Sequence, residues 1–156
     1  DAMSPLTVTL GVQNASFVAQ AVDWIPESLF QIVTAAFRHR GLSFVRILQR
    51  CPEFVGGMFE PWVHDPQRML MLTHENGLKV SPALQKIYRN QIVHDPADIN
   101  RAREIASSED PIPVGILYHN PQVPCYEDLR GAGTLRTTDT IRSSLEAEFD
   151  KFTVWP

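Results

Sequence analysis

Apolar positions change their spacing several times along the chain, and each change marks an element. In the stretch ESLFQIVTAAFRHRG, Leu29, Val33 and Phe37 recur every four residues and Ile32 and Ala36 widen the stripe, which predicts an amphipathic helix. Pro26 suits its first turn, and Gly41 stands where a left-handed cap belongs. Arg38, His39 and Arg40 crowd its last turn, where cations meet the negative end of the helix dipole. Before it, Ser4-Pro5 opens a short helix, Gly11 and Asn14 interrupt the pattern, and a strand is expected at about 15–22. After it, LSFVRILQR is β-branched and aromatic enough to read as a second strand. Strand, helix and strand in this order predict two parallel strands joined by a right-handed crossover.

The segment CPEFVGGMFEPWVHDPQ breaks every periodicity with glycines, prolines and aromatics, and is expected to be a long ordered loop. A third strand is expected over 68–75. A helix follows from Ser81-Pro82 to about Asn90, with Leu84, Ile87 and Tyr88 inward. His94-Asp95-Pro96 reads as the cap and first turn of a helix carrying Ile99, Ala102 and Ile105 on a narrower stripe. The same triplet occurs at His64-Asp65-Pro66, but the flanking residues do not match, so no internal repeat is inferred. IPVGILYHN (112–120) reads as the last strand, and PQVPCYEDLRGAGTLR as an extended tail segment. Thr138–Lys151 reads as a closing helix with Ile141, Leu145, Phe149 and Phe152 inward. The pattern is that of an α/β fold, a mostly parallel sheet flanked by helices, in a single domain spanning 1–156.

Composition supports that reading. With 156 residues, of which 44% are hydrophobic, the chain can bury a core without disulfide staples. Cys51 and Cys125 are its two cysteines, no apolar run approaches the roughly 18 residues of a membrane span, and no signal-like segment opens the sequence. A reducing, cytoplasmic setting is expected. A formal net charge of −4 argues against nucleic-acid or anionic-membrane partners, which need a concentrated basic face. Of the 14 cationic residues 11 are Arg, which favours planar contacts at interfaces over plain solvation. The opening DAMSPLTV lacks an initiator Met and runs directly into structured-looking sequence, as in a piece of a longer protein.

Candidate chemistry centres on Cys51. The following Pro52 holds the backbone extended, so the thiol can project from the carboxyl end of the second strand, where ligands sit in open α/β sheets. The plainer reading is a small buried hydrophobe. An iron–sulfur cluster usually takes four cysteines, and the companions are not in this chain. Cys125, in a proline-bounded tail, is read as structural. His39, His64, His74, His94 and His119 lack helical zinc-site spacing and are read as structural or surface residues. His74-Glu75, at the end of the third strand, is the best remaining polar pair. GVQNASF is not a phosphate loop, and Trp24, Trp62 and Trp155 are read as core or interface packing.

Three stretches carry a family resemblance: NASFVAQAV, AAFRHRGLSFVRILQRCPEF and PIPVGILYHNPQVPCYEDL. In this order they resemble the C-terminal half of the β subunit of 2-oxoacid:ferredoxin oxidoreductases, above all the 2-oxoglutarate-oxidising branch. The resemblance implies the C-terminal part of a thiamine-diphosphate-binding fold, ending at about residue 75, followed by a C-terminal extension over about 76–156. It implies an enzyme that oxidatively decarboxylates a 2-oxoacid, here 2-oxoglutarate, to its acyl-coenzyme A and CO2. Electrons would pass through a four-iron, four-sulfur cluster to ferredoxin. Thiamine diphosphate and Mg2+ would be the other cofactors, and an α subunit a partner in a hetero-oligomer. Cys51 falls at the family's late cluster cysteine, so the resemblance makes it a metal ligand. The family's Gly-Asp-Gly…Asn diphosphate segment and its N-terminal Cys-x-x-Cys are absent, so no catalytic, diphosphate, magnesium or substrate residue is assigned, and the chain alone is expected to be inactive. The alternatives are a non-catalytic subunit-assembly module, or another thiamine-diphosphate-dependent decarboxylase or synthase that does not need Cys51.

Overall fold

The computed structural model describes residues 3–54, 56–75, 78–131 and 137–152. Seven helices and five strands alternate in this described part: α1 (Pro5–Gly11), β1 (Phe17–Val22), α2 (Pro26–Arg38), β2 (Ser43–Leu48), α3 (Glu60–His64), β3 (Met69–Thr73), α4 (Pro82–Ile87), β4 (Gln91–Val93), α5 (Ile99–Ala106), β5 (Ile112–His119), α6 (Tyr126–Leu129) and α7 (Thr138–Asp150). The strands form one sheet in the order β2-β1-β5-β3-β4. β1 pairs parallel with β2, and β3 parallel with both β4 and β5, while β1 and β5 are antiparallel. The sheet is therefore mostly parallel, as the pattern predicts, but its two halves point in opposite directions.

Each face of the sheet carries its own apolar cluster. On one side Phe17, Ala19 and Ala21 of β1 meet Ile32 of α2, with Leu29, Ala35, Ala36 and Leu84 packed around them. On the other, Val18, Leu72 and Leu117 meet Leu6 and Leu10 of α1 and Ala102 and Ile105 of α5. The central strands β1 and β5 are buried almost throughout, which is why FVAQAV and IPVGILY read as continuous apolar runs rather than alternating ones. Each such aliphatic side chain contributes about 1.5–3 kcal/mol when fully buried.

Several expectations shift on the structure. α2 forms as predicted, but Ser28 and Ile32 are its buried positions, while Val33 and Phe37 of the predicted stripe are exposed. A step of four residues overshoots one helical turn by about 40°, so a Leu29–Val33–Phe37 line winds off the face that meets the sheet. His39 is the C-cap, and Gly41, at φ 141°, lies two residues beyond it. In α4, Ser81 caps the Leu84 N–H and Tyr88 is buried, but Ile87 is exposed. The cap of α5 is Asp98, whose carboxylate accepts from Asn100 N and Arg101 N, not the earlier His94-Asp95-Pro96; that triplet directly follows the short strand β4, and His94 is buried. The expected loop after Cys51 contains α3 and a 3-10 turn over Pro66–Arg68. The expected extended tail contains α6.

Contacts divide the chain into two compact units, 1–123 and 124–156. The second holds α6 and α7. α7 starts where predicted and ends one residue earlier, with a Thr137 side chain capping Thr140 N, but Ile141, Leu145, Phe149 and Phe152, expected inward, are exposed. Among the described residues no helix is long and apolar enough to cross a membrane.

Candidate functional site

Because β1 and β2 run parallel in register, with Val22 opposite Leu48, the chain leaves both strands at the same end of the sheet. There Asp23 N donates to Leu48 O at 3.1 Å, and the Asp23 carboxylate accepts from Arg50 N at 3.1 Å and from Arg50 Nε at 3.0 Å. The Arg50 guanidinium also lies 5.8 Å from the Trp24 ring centre. Arg50 is thus held at three points, and the next residue is Cys51. Its thiol is free and half-buried. It lines a concavity of about 300 Å³ together with Pro52, Gly56, Gly57, Glu60 and His64. The loop folds back so closely that a Cβ on Gly56 would lie 3.1 Å from Pro52 O. The structure therefore places Cys51 just beyond the carboxyl end of β2, an edge strand, in the wall of a cavity.

The wall of this region is aromatic. Trp24, Phe59 and Trp62 form a chain of ring contacts at 5.7 and 6.3 Å, all packed on the core, while Phe54 of the same loop is exposed. Arg68 lies 4.7 Å from the Trp62 ring centre and grips Asp110 through Nε and Nη2, the shortest contact being 2.7 Å. That hydrogen bond pulls the Asp110 carboxyl below its ordinary range and raises the Arg68 guanidinium. Trp24 and Trp62 serve packing, as expected; Trp155 lies outside the described residues.

Four of the five histidines, all but His64, gather at the opposite end of the sheet. His74 follows β3, His94 follows β4 and His119 ends β5, and these three strands run against β1 and β2. His74-Glu75 and Cys51 both stand at carboxyl ends, but β3 runs against β2, so these lie at opposite ends of the sheet and the structure does not bring them together. His39, from the end of α2, joins the group: His119 Nε2 lies 3.2 Å from His39 Nδ1, and His39 Nε2 lies 2.9 Å from Ser16 Oγ. Ser16 donates its hydroxyl to Leu42 O at 3.1 Å. His39 Nε2–H then donates to Ser16 Oγ, and when both rings are neutral His119 Nε2–H donates to His39 Nδ1. Burial lowers the pKa of both, and His119 lowers that of His39 further. Burial also lowers His74, with smaller contributions from His94 and His119. The Ser–His–His chain has the connectivity of a nucleophile relay, but Ser16 is fully buried, so its role is structural. Among the described residues no group of three or more His, Cys, Asp or Glu side chains could hold a metal ion.

A family model for the C-terminal region of the pyruvate ferredoxin oxidoreductase beta subunit matches residues 84–132. The chain is similar to the β subunits of 2-oxoacid:ferredoxin oxidoreductases. It is 25% identical to a Sulfolobus 2-oxoacid:ferredoxin oxidoreductase subunit beta, over 82% of the chain and 39% of that protein. It is 26% identical to 2-oxoacid:ferredoxin oxidoreductase 2, subunit beta, of Aeropyrum pernix, over 72% of the chain and 34% of that protein. Over a shorter stretch, 36% of the chain and 15% of the relative, it is 40% identical to the Mycobacterium tuberculosis 2-oxoglutarate oxidoreductase subunit KorB. The chain thus spans well under half the length of these β subunits. A solved 2-oxoglutarate:ferredoxin oxidoreductase from Magnetococcus marinus, with 2-oxoglutarate, coenzyme A and succinyl-CoA bound, superposes with a TM-score of 0.58 at 21% identity, over 93% of this chain and 45% of that one. That likeness establishes the shared α/β fold.

Two polar residues escape the sequence reading altogether. Gln20 is the sole polar side chain of the buried strand FVAQAV, and Arg46 is its cross-strand neighbour on β2. A lone carboxamide in an apolar, fully buried run is the signal that could have drawn attention to them.

Proposed function

We propose that this chain forms the C-terminal part of the β subunit of a 2-oxoacid:ferredoxin oxidoreductase, with Cys51 as one thiolate ligand of a four-iron, four-sulfur cluster. The observation that carries the reading is the free, half-buried thiol at the end of β2, open to a cavity and standing in the segment that carries the family resemblance. The residues present fit one ligand of such a group and no more: the thiol faces space, Arg50 and Pro52 fix its backbone, and the remaining ligands must come from outside this chain. When bound, the cluster supplies one-electron transfer. The chain's own part is to hold the sulfur, in a cavity that Phe59 and the α3 residues Glu60 and His64 help to line.

In this reading residues up to about 75 close the thiamine-diphosphate-binding core and about 76–156 form its C-terminal extension. The complete enzyme would oxidise a 2-oxoacid, with 2-oxoglutarate favoured by the KorB likeness, to acyl-coenzyme A and CO2, and would reduce ferredoxin in the cytoplasm. The family's Gly-Asp-Gly…Asn segment is absent from this sequence, and no described cluster of carboxylates suits Mg2+, so thiamine diphosphate and its metal would be held mainly by residues outside this chain. The chain by itself would be inactive. Replacing Cys51 by Ser in the complete enzyme should lower iron and sulfide content and abolish ferredoxin reduction; full cluster content with normal turnover would refute the assignment.

One observation favours a second reading, a subunit-assembly module in which Cys51 is only packed. Phe30 and Phe37 on the outer side of α2 are 73% and 89% exposed, a surface suited to burial against another protein. On this reading the Cys51→Ser enzyme keeps its cluster, and Phe30→Ser with Phe37→Ser prevents subunit association.

A further inference from the structure

Gln20 and Arg46 stand directly opposite each other on β1 and β2. Gln20 is 2% exposed; its Nε2 donates to Pro113 O at 2.8 Å, whereas its buried Oε1 accepts from no described residue. Arg46 is half-buried and, among the described residues, forms neither an ion pair nor a hydrogen bond. Both line a cavity of about 540 Å³, whose walls include Leu48 and Trp62 as apolar surface and Ser108 and Glu109 at one side. The carboxylate of Glu109 is not within ion-pair distance of Arg46.

A guanidinium without an anion and a buried carboxamide oxygen without a donor, side by side in one cavity, are complementary to a molecule that supplies both. We propose that this cavity binds a small organic anion whose carboxylate or phosphate sits on Arg46, whose neighbouring hydroxyl or amide N–H donates to Gln20 Oε1, and whose apolar body rests on Leu48 and Trp62. Burial of Gln20 makes its oxygen a selective group: a ligand that offers a second acceptor there leaves two lone pairs facing each other, whereas a donor resolves the mismatch. Glu109 disfavours a second negative group at its side of the cavity. The site is separate from the role of Cys51, although Phe59 lines both cavities.

The test uses the 156-residue chain, with calorimetry and tryptophan fluorescence following titration with 2-hydroxy-4-methylpentanoate, 2-oxo-4-methylpentanoate and glycerol 3-phosphate. The two acids differ only in a hydroxyl against a carbonyl, and glycerol 3-phosphate offers phosphate with hydroxyls. Saturable binding of the hydroxy acid identifies a carboxylate site, and of glycerol 3-phosphate a phosphate site. Loss of one charge-assisted pair should make Arg46→Gln about tenfold weaker or more, while Arg46→Lys retains most of the affinity. The hydroxy acid should bind more tightly than the oxo acid, and Gln20→Leu should erase that preference. The proposal is overturned if neither the hydroxy acid nor glycerol 3-phosphate saturates the chain, or if a folded Arg46→Gln binds as tightly as the unaltered protein. Should Gln20→Leu not fold, equal affinity of the unaltered chain for the two acids overturns the role of Gln20.

Discussion

Asp23 and Arg50 lock together the two chain segments that leave the sheet at the Cys51 end: one carboxylate receives both the backbone N–H of Arg50 and its side-chain Nε, at 3.1 and 3.0 Å. The Arg50 side chain is about half exposed, so as an ion pair this contributes about 1 kcal/mol or less to stability. Its importance is geometric, because it fixes the backbone one residue before the thiol. Asp23→Ala should therefore change the unfolding midpoint little, yet speed alkylation of Cys51, measured in a Cys125→Ser background. An unchanged alkylation rate would show that Pro52 and the following loop hold the sulfur without help.

The contact of α2 with the sheet gives a sharper energetic test. Ile32 is fully buried between β1 and its neighbours, whereas Phe37 on the same helix is exposed. Ile32→Ala should cost about 2–5 kcal/mol through lost burial and the cavity left behind. Phe37→Ala should lie within about 0.5 kcal/mol of the parent, although it deletes the larger side chain. Urea unfolding of the two variants checks this, and a large loss at Phe37 with a small one at Ile32 would restore the stripe that the sequence alone suggests.

That contrast shows what the sequence can and cannot reveal. Helix α2, strands β1, β2, β3 and β5 and the cap at Ser81 are legible because each rests on local chemistry: periodicity, β-branching, or a side chain that bonds its own backbone. Which side of α2 faces the sheet is decided by close approach, and Ala35 and Ala36 permit it where Phe37 does not. β4 has three residues, too few to show a period. In α7 the periodicity of Ile141 and Leu145 is real, but a stripe records amphipathicity and not what covers it. Cys51 is legible as a strand-end thiol because Pro52 marks the exit. The grouping of His39, His74, His94 and His119 is not, because it depends on β5 entering the sheet antiparallel to β1.

The imidazole group makes stability depend on pH. Folded His39, His74 and His119 all have pKa values below the ordinary 6.5, with burial the first cause in each. Above that value both folded and unfolded chains are neutral at these positions and no penalty arises. As pH falls through about 6.5 the unfolded chain binds protons first, so stability declines until the lowered folded pKa values are passed. The groups facing this end include His94, Asp95 and Glu75, and Asp95 partly opposes the fall at His74. On acidification from about pH 7 to about pH 5, the unfolding midpoint should therefore drop more in the parent than in His39→Gln with His119→Gln, whose curve should be flatter. A parent and double variant with parallel pH profiles would show that the pair carries no proton linkage.

Gly115 explains how β5 fits between β1 and β3. It sits at φ 142°, and a Cβ there would stand 2.7 Å from Leu72 Cβ and 2.9 Å from Leu72 O. Neither the backbone conformation nor the space suits any other residue, and the obstacle includes main chain of the adjacent strand, which cannot swing aside. It also lies opposite Gln20 in the β1–β5 pairing, so a shift at this point disturbs the strand that carries the buried carboxamide. Gly115→Ala combines strain at a positive φ with overpacking, each on the order of 1–3 kcal/mol. The expected result is a loss of several degrees or more in the thermal midpoint, read by circular dichroism, and the sum approaches the whole stability of an ordinary small domain. Gly11, with nothing within 4 Å of its virtual Cβ and no positive φ, is the control: Gly11→Ala should leave the midpoint unchanged or raise it slightly. Equal midpoints for the two alanine variants would mean that β5 does not pass as close to Leu72 as the structure places it.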